Sequence, residues 1–158
     1  MTKIIISIVL LVNVHLFASM VEDGVSAYNQ GDIIKANTLY LQACKKGSPR
    51  GCLRSGLLYY TGKEIKQNII KAKKLFVRAC KHSNAEGCYY AGLIYKRGEG
   101  SIEKNYKKAT TYFAAGCKMR LPKSCKQYDL IRHKRQVVGA GNNDHNFSYT
   151  YTTEVYGG

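Results

Sequence analysis

At 158 residues the chain has room for one domain and short appendages. Its 25 Lys and Arg outweigh 10 Asp and Glu, a formal net charge of +15, so it suits acidic partners and offers few carboxylates for a paired acid–base site. Six cysteines, an even number in a small chain, point to disulfides in an oxidising compartment.

The N-terminus predicts export. Met1-Thr2-Lys3 is a short positive stretch, Ile4 to Val12 is apolar except for Ser7, and small residues follow at Ala18 and Ser19. This is the pattern of a secretory signal peptide over 1–18, cleaved near Ala18. The apolar run, broken by Asn13 and His15, is short for a membrane span. No lipobox cysteine follows it.

Residues 20–31 read as a half-repeat, with Val21, Val25 and Tyr28 on one helical face and Gly31 as its stop. Asp32 is placed to cap the next helix, about 33–46, whose inward stripe is Ala36, Leu39, Tyr40, Ala43 and Cys44. A turn at Gly47-Ser48-Pro49 leads to a helix over about 49–60. The cycle returns as helices at about 68–82 and 85–97, then 104–119 and 122–134. The repeats therefore fall at about 32–67, 68–103 and 104–134, making one repeat domain over 20–134. After Arg135 the composition changes, and 135–158 is expected to be a flexible tail, although Phe147, Tyr149 and Tyr151 alternate as in a strand.

The cysteines carry the period. Cys44/Cys52, Cys80/Cys88 and Cys117/Cys125 share one C-x7-C spacing and recur every 36 to 37 residues, as in a helical solenoid. Folding successive helices back antiparallel brings the two members of each pair together. Structural zinc sites favour C-x2-4-C and redox sites C-x-x-C, so the spacing favours disulfides over metal or redox chemistry. No cofactor is indicated. The third unit departs from the others: Asp129 stands where they have Gly56 and Gly92, and Arg132 where they have Tyr59 and Tyr95. A polar terminal unit of this kind ends a solenoid.

The unit Ala-x3-aromatic-x2-Ala-Cys-x7-Cys-x3-Gly-x2-Tyr resembles the Sel1-like repeat. In its secreted, disulfide-stapled form it is similar to the Hcp-type cysteine-rich proteins, often named β-lactamase-like. The match covers about 25–132. The resemblance implies an all-α fold, a right-handed α/α solenoid of tetratricopeptide-like repeats with one disulfide in each, exported by a bacterium to the periplasm or beyond. It also implies either protein and ligand binding or, as the alternative, penicillin binding and weak β-lactam hydrolysis.

A serine β-lactamase needs S-x-x-K on one helical turn, with S-D-N-like and K-T-G-like elements. Ser101 and Lys104 match the first, whereas the other two elements are absent. Ser101 lies at an inter-repeat turn, where capping the next helix is the better explanation of it. For binding, the first helix of each unit would line a concave groove, as in related repeats. Its residues just off the core stripe are Asn37, Leu41, Lys73, Val77, Thr110 and Ala114. Basic residues flank them: Lys71, Lys73, Lys74, Arg78 and Lys81 in the second unit, and Lys104, Lys107 and Lys108 in the third. The expected partner is an acidic protein or cell-envelope component, or a β-lactam or peptidoglycan fragment. No DNA- or RNA-binding motif is present. The chain is expected to be a monomer.

Overall fold

The computed structural model describes residues 19–139, with side chains described for 19–133. The expected signal peptide (1–18) lies outside the described residues, as does most of the expected tail (140–158). The described residues form seven helices and no strand. A helix over residues 19–29 (α1) is followed by α2 (Ile33–Lys45), α3 (Pro49–Thr61), α4 (Ile69–Lys81), α5 (Ala85–Arg97), α6 (Tyr106–Lys118) and α7 (Pro122–Gly139).

Local chemistry sets these boundaries. Asp32, Ser48, Asn68, Asn84 and Asn105 each cap a helix, the side chain accepting from the backbone N–H three residues on. Gly62 and Gly98 end α3 and α5 in the left-handed conformation. The last helix runs five residues past its expected end at 134. No glycine or proline interrupts the chain between Lys134 and Val138, and α7 reaches Gly139.

Each helix from α2 to α7 packs chiefly on its chain neighbours, with lesser contact to the helix two places away. That is a solenoid of antiparallel helix pairs. Three disulfides staple the pairs: Cys44–Cys52 joins α2 to α3, Cys80–Cys88 joins α4 to α5, and Cys117–Cys125 joins α6 to α7, with Cα atoms 4.5–4.6 Å apart.

The core is a column of rings on glycines. Tyr40, Phe76 and Phe113 are fully buried. Each lies on a glycine of the preceding helix: a Cβ added at Gly24, Gly56 or Gly92 would stand 2.6–2.7 Å from the ring. The half-repeat thus carries the same glycine as the full units. Two sequence expectations change here. The buried face of α1 is Val21, Gly24 and Ala27, while Tyr28 is exposed and donates to Glu64 at 3.1 Å. On α2 the buried position beside Ala36 is Asn37, and Leu39 is only half-buried. Helix rotation turns Asn37 toward α3, where Ser55 and Tyr59 supply its hydrogen bonds.

Candidate binding surface

One side-chain arrangement occurs twice along α2, α4 and α6. In the first copy, Asn37 Nδ2 donates to the Tyr59 hydroxyl at 3.1 Å, and Lys71 Nζ donates to the same oxygen at 2.7 Å. Lys71 also lies over the Tyr59 ring, 4.2 Å from its centroid. In the second copy, Tyr95 has Lys73 at 5.6 Å and Lys108 at 5.4 Å from its ring centroid. Residues 37, 59 and 71 correspond through the period to 73, 95 and 108. Each tyrosine is therefore bracketed by one residue of the helix before it and a lysine of the helix after it. Tyr112 extends the second copy by stacking on Tyr95, with centroids 5.6 Å apart and planes at 3°.

The first copy is anchored from within. Asn37 is buried, and its Oδ1 accepts from Ser55 Oγ at 2.7 Å, so the amide is held by Ser55 and Tyr59 together. Burial pushes the Tyr59 phenol up, but the hydrogen bonds from Lys71 and Asn37 outweigh it and hold the phenol below its usual value. The result is a half-buried aromatic surface carrying fixed positive charge. Such a surface can take carboxylates at the ammonium groups and apolar or cationic side chains on the rings.

Of the six expected groove residues, Asn37 and Lys73 fall at these brackets. Leu41 and Val77 are half-buried and pack against the core cluster of α3 and α4. Thr110 and Ala114 line a shallow depression of about 520 Å³ on α6, between Lys107 and Lys118, and the Thr110 hydroxyl donates to the Tyr106 carbonyl at 2.7 Å. Sequence reasoning placed Lys73 in the groove and the other lysines beside it, but did not bring Tyr59 or Tyr95 to that surface. The missed signal is their joint recurrence, a lysine 12 or 13 residues after each tyrosine.

Ser101 and Lys104 are both exposed in the connection before α6. They are not on a helix, because α6 begins at Tyr106 and its cap is Asn105, not Ser101. Glu86, the acidic residue of the first turn of α5, pairs with Lys123 at 2.9 Å. Among the described residues no cluster of three or more His, Cys, Asp or Glu could hold a metal ion.

The Sel1 repeat family model matches residues 18–48, 49–84 and 85–120. The chain belongs to the Sel1 repeat family. The family's repeats start at α1, α3 and α5, half a unit out of phase with repeats counted from Asp32. In that phase each disulfide lies at the end of one repeat and staples it to the helix that comes next. Among solved structures, the Sel1 repeat chain is similar to a protective antigen of uropathogenic Escherichia coli with an SLR fold. The TM-score is 0.68 at 17% identity, covering 75% of this chain and 26% of that one. It is also similar to a Sel1 repeat protein from Oxalobacter formigenes, with a TM-score of 0.59, 26% identity and coverage of 65% and 42%. For cysteine rich protein B of Helicobacter pylori the TM-score is 0.60 at 25% identity, covering 72% of this chain and 90% of that one. The chain thus spans about a quarter of the first, two fifths of the second and most of the third. No curated protein matches the sequence.

Proposed function

We propose that this disulfide-stapled Sel1 repeat protein is a protein-binding module that works outside the cytoplasm and grips an acidic partner. The observation that carries the reading is the bracketed tyrosine, repeated in successive units with Lys71, Lys73 and Lys108 around it. A repeated element at a fixed period matches an extended chain better than a compact substrate. The strong positive balance of the chain attracts acidic partners from a distance. Pairing of all six cysteines suits an oxidising compartment, as does the resemblance of residues 1–18 to a signal peptide. No observation favours the β-lactam reading, since Ser101 and Lys104 do not share a helical turn.

The test is retention of an acidic protein from envelope or culture fluid by the immobilised, oxidised chain. Charge reversal at Lys71, Lys73 and Lys108 together should abolish retention. Reversal at Lys45 and Lys46, beside the first disulfide, should leave it. Equal loss in both variants would reduce the interaction to general charge and sink the proposed surface.

A further inference from the structure

The first unit departs from the second in a way that opens a hollow. In the second unit Tyr60 donates to Glu99 at 3.0 Å. Beneath it Tyr90 stacks on Phe76, with centroids 5.0 Å apart, and fills the space. In the first unit Tyr28 donates to Glu64 in the same manner. One period earlier, however, Tyr40 stands for Phe76 and Arg54 for Tyr90. One ring is lost, and two donor groups, a phenol and a guanidinium, stand where the second unit has one phenol. A hollow of about 290 Å³ results, lined by Tyr28, Tyr40, Arg54, Leu57, Lys63 and Glu64, among others. The third unit has Phe113 and Gln127 at these positions, and Gln127 accepts from Lys96 at 2.6 Å. The unpartnered phenol belongs to the first unit.

The buried donor lacks an acceptor. Tyr40 is 1% exposed, and its hydroxyl has no hydrogen-bond partner among the described residues. Buried hydroxyls are nearly always satisfied, so this one is an exception that asks for a partner. Arg54 and Lys63, exposed residues of the lining, form no hydrogen bond or ion pair within the described residues and present their charge to whatever enters. The lining carboxylate, Glu64, already accepts from Tyr28. Leu57 and Leu58 give the hollow an apolar wall. Burial pushes the Tyr40 phenol up, with the Arg54 charge opposing, so at neutral pH the hydroxyl keeps its proton and can donate it.

We propose that this hollow is a ligand site for a small carboxylate with an apolar body. The carboxylate accepts from Tyr40 Oη and pairs with Arg54 and Lys63, and the body rests on Leu57 and Leu58. The site is separate from the bracketed tyrosines and does not depend on them.

The probes are sodium isovalerate and sodium benzoate, added at constant ionic strength to the oxidised full chain. Isovaleramide and benzamide serve as neutral controls of the same shape. NMR signals of the Arg54 guanidinium and the Tyr40 ring report binding. Saturable shifts are expected for at least one carboxylate, with Kd on the order of 1 mM, and none for the amides. Tyr40→Phe should weaken binding about tenfold or more. Arg54→Tyr, which installs the ring of the second unit, should abolish it. Both variants carry residues that the second unit already tolerates at these positions, and a thermal melt checks that they fold. No saturation by either carboxylate, equal binding of the amides, or undiminished binding by a folded Tyr40→Phe variant would each overturn the proposal.

Discussion

At the scale of the residue, the fold depends on which side chain is missing. The Gly56 position has no room for a methyl group, because an added Cβ would sit 2.7 Å from the Phe76 ring. Gly56→Ala should therefore cost about 1–3 kcal/mol by overpacking, measured by denaturant unfolding. A second small-residue contact changes hands along the chain. Gly51 faces Ala43 and Gly87 faces Ala79, but in the third unit the glycine is Gly116 and the larger partner is Ser124. Gly116→Ala alone should destabilise by a similar amount, and Ser124→Gly in the same chain should recover most of the loss. A double-mutant cycle would show that coupling. The turns inside the disulfide rings tell a related story. Gly47, Ser83 and Arg120 are equivalent and all have positive φ, at 99°, 61° and 59°. Only the first is the residue that the conformation favours. Arg120→Gly should stabilise by about 0.5–1 kcal/mol, the relief of left-handed strain less the entropy that glycine costs. The thermal midpoint should rise accordingly by about 2–4 °C.

At the scale of the element, two-helix units are too small to be held by burial alone, and the disulfides offset that. Each bridge spans a sequence separation of 8 and joins the end of one helix to the start of the next. Closing so short a loop contributes about 2.5 kcal/mol by restricting the unfolded chain. Replacing Cys80 and Cys88 together with alanine should lower stability by about 2–3 kcal/mol, measured by chemical unfolding under non-reducing conditions. The helix caps make a separate point about the S-x-x-K match. Since Asn105 caps α6 and Ser101 lies outside it, Ser101→Ala should change neither the melting temperature measurably nor any turnover of a chromogenic cephalosporin. Turnover that disappears in this variant would restore Ser101 as a nucleophile.

At the scale of the whole molecule, the tyrosines divide by environment. The Tyr40, Tyr60 and Tyr112 phenols are pushed up, chiefly by burial, and Tyr28 is raised by its hydrogen bond to Glu64. Tyr59 alone among these shifted phenols is lowered. A raised phenol stabilises the fold below its unfolded value of about 10, and that contribution is lost as pH rises through the folded value. A lowered one acts in the opposite sense, stabilising above about 10 and losing that contribution as pH falls through its folded value. Four against one among these phenols, stability should fall above about pH 10, and Tyr59 should ionise before the other four. Ultraviolet titration of the phenols beside a pH series of thermal melts would check both parts, with Tyr59→Phe assigning its transition.

Much of the architecture was legible because it is local. The helical stripes, the Asp32 cap and the C-x7-C spacing act within a few residues of one another and recur every 36 to 37, so the chain declares its helices and their pairing in order, whereas the caps at Ser48, Asn68, Asn84 and Asn105 were not singled out. The half-repeat was legible too, although Tyr28 was placed on the wrong face and Gly24 was not singled out. Contacts between units were harder to read. Tyr59 meets Lys71, and Tyr40 comes to line one hollow with Arg54, only after helix rotation and the glycine contacts have set how closely successive helices approach. Sequence by itself determined that this is a stack of stapled helix pairs with a basic surface. Only the tertiary structure decided which positive charges sit on which rings, and that one unit leaves a buried hydroxyl facing a hollow. Periodicity specifies what is the same in every unit, whereas binding depends on how the units differ once packed.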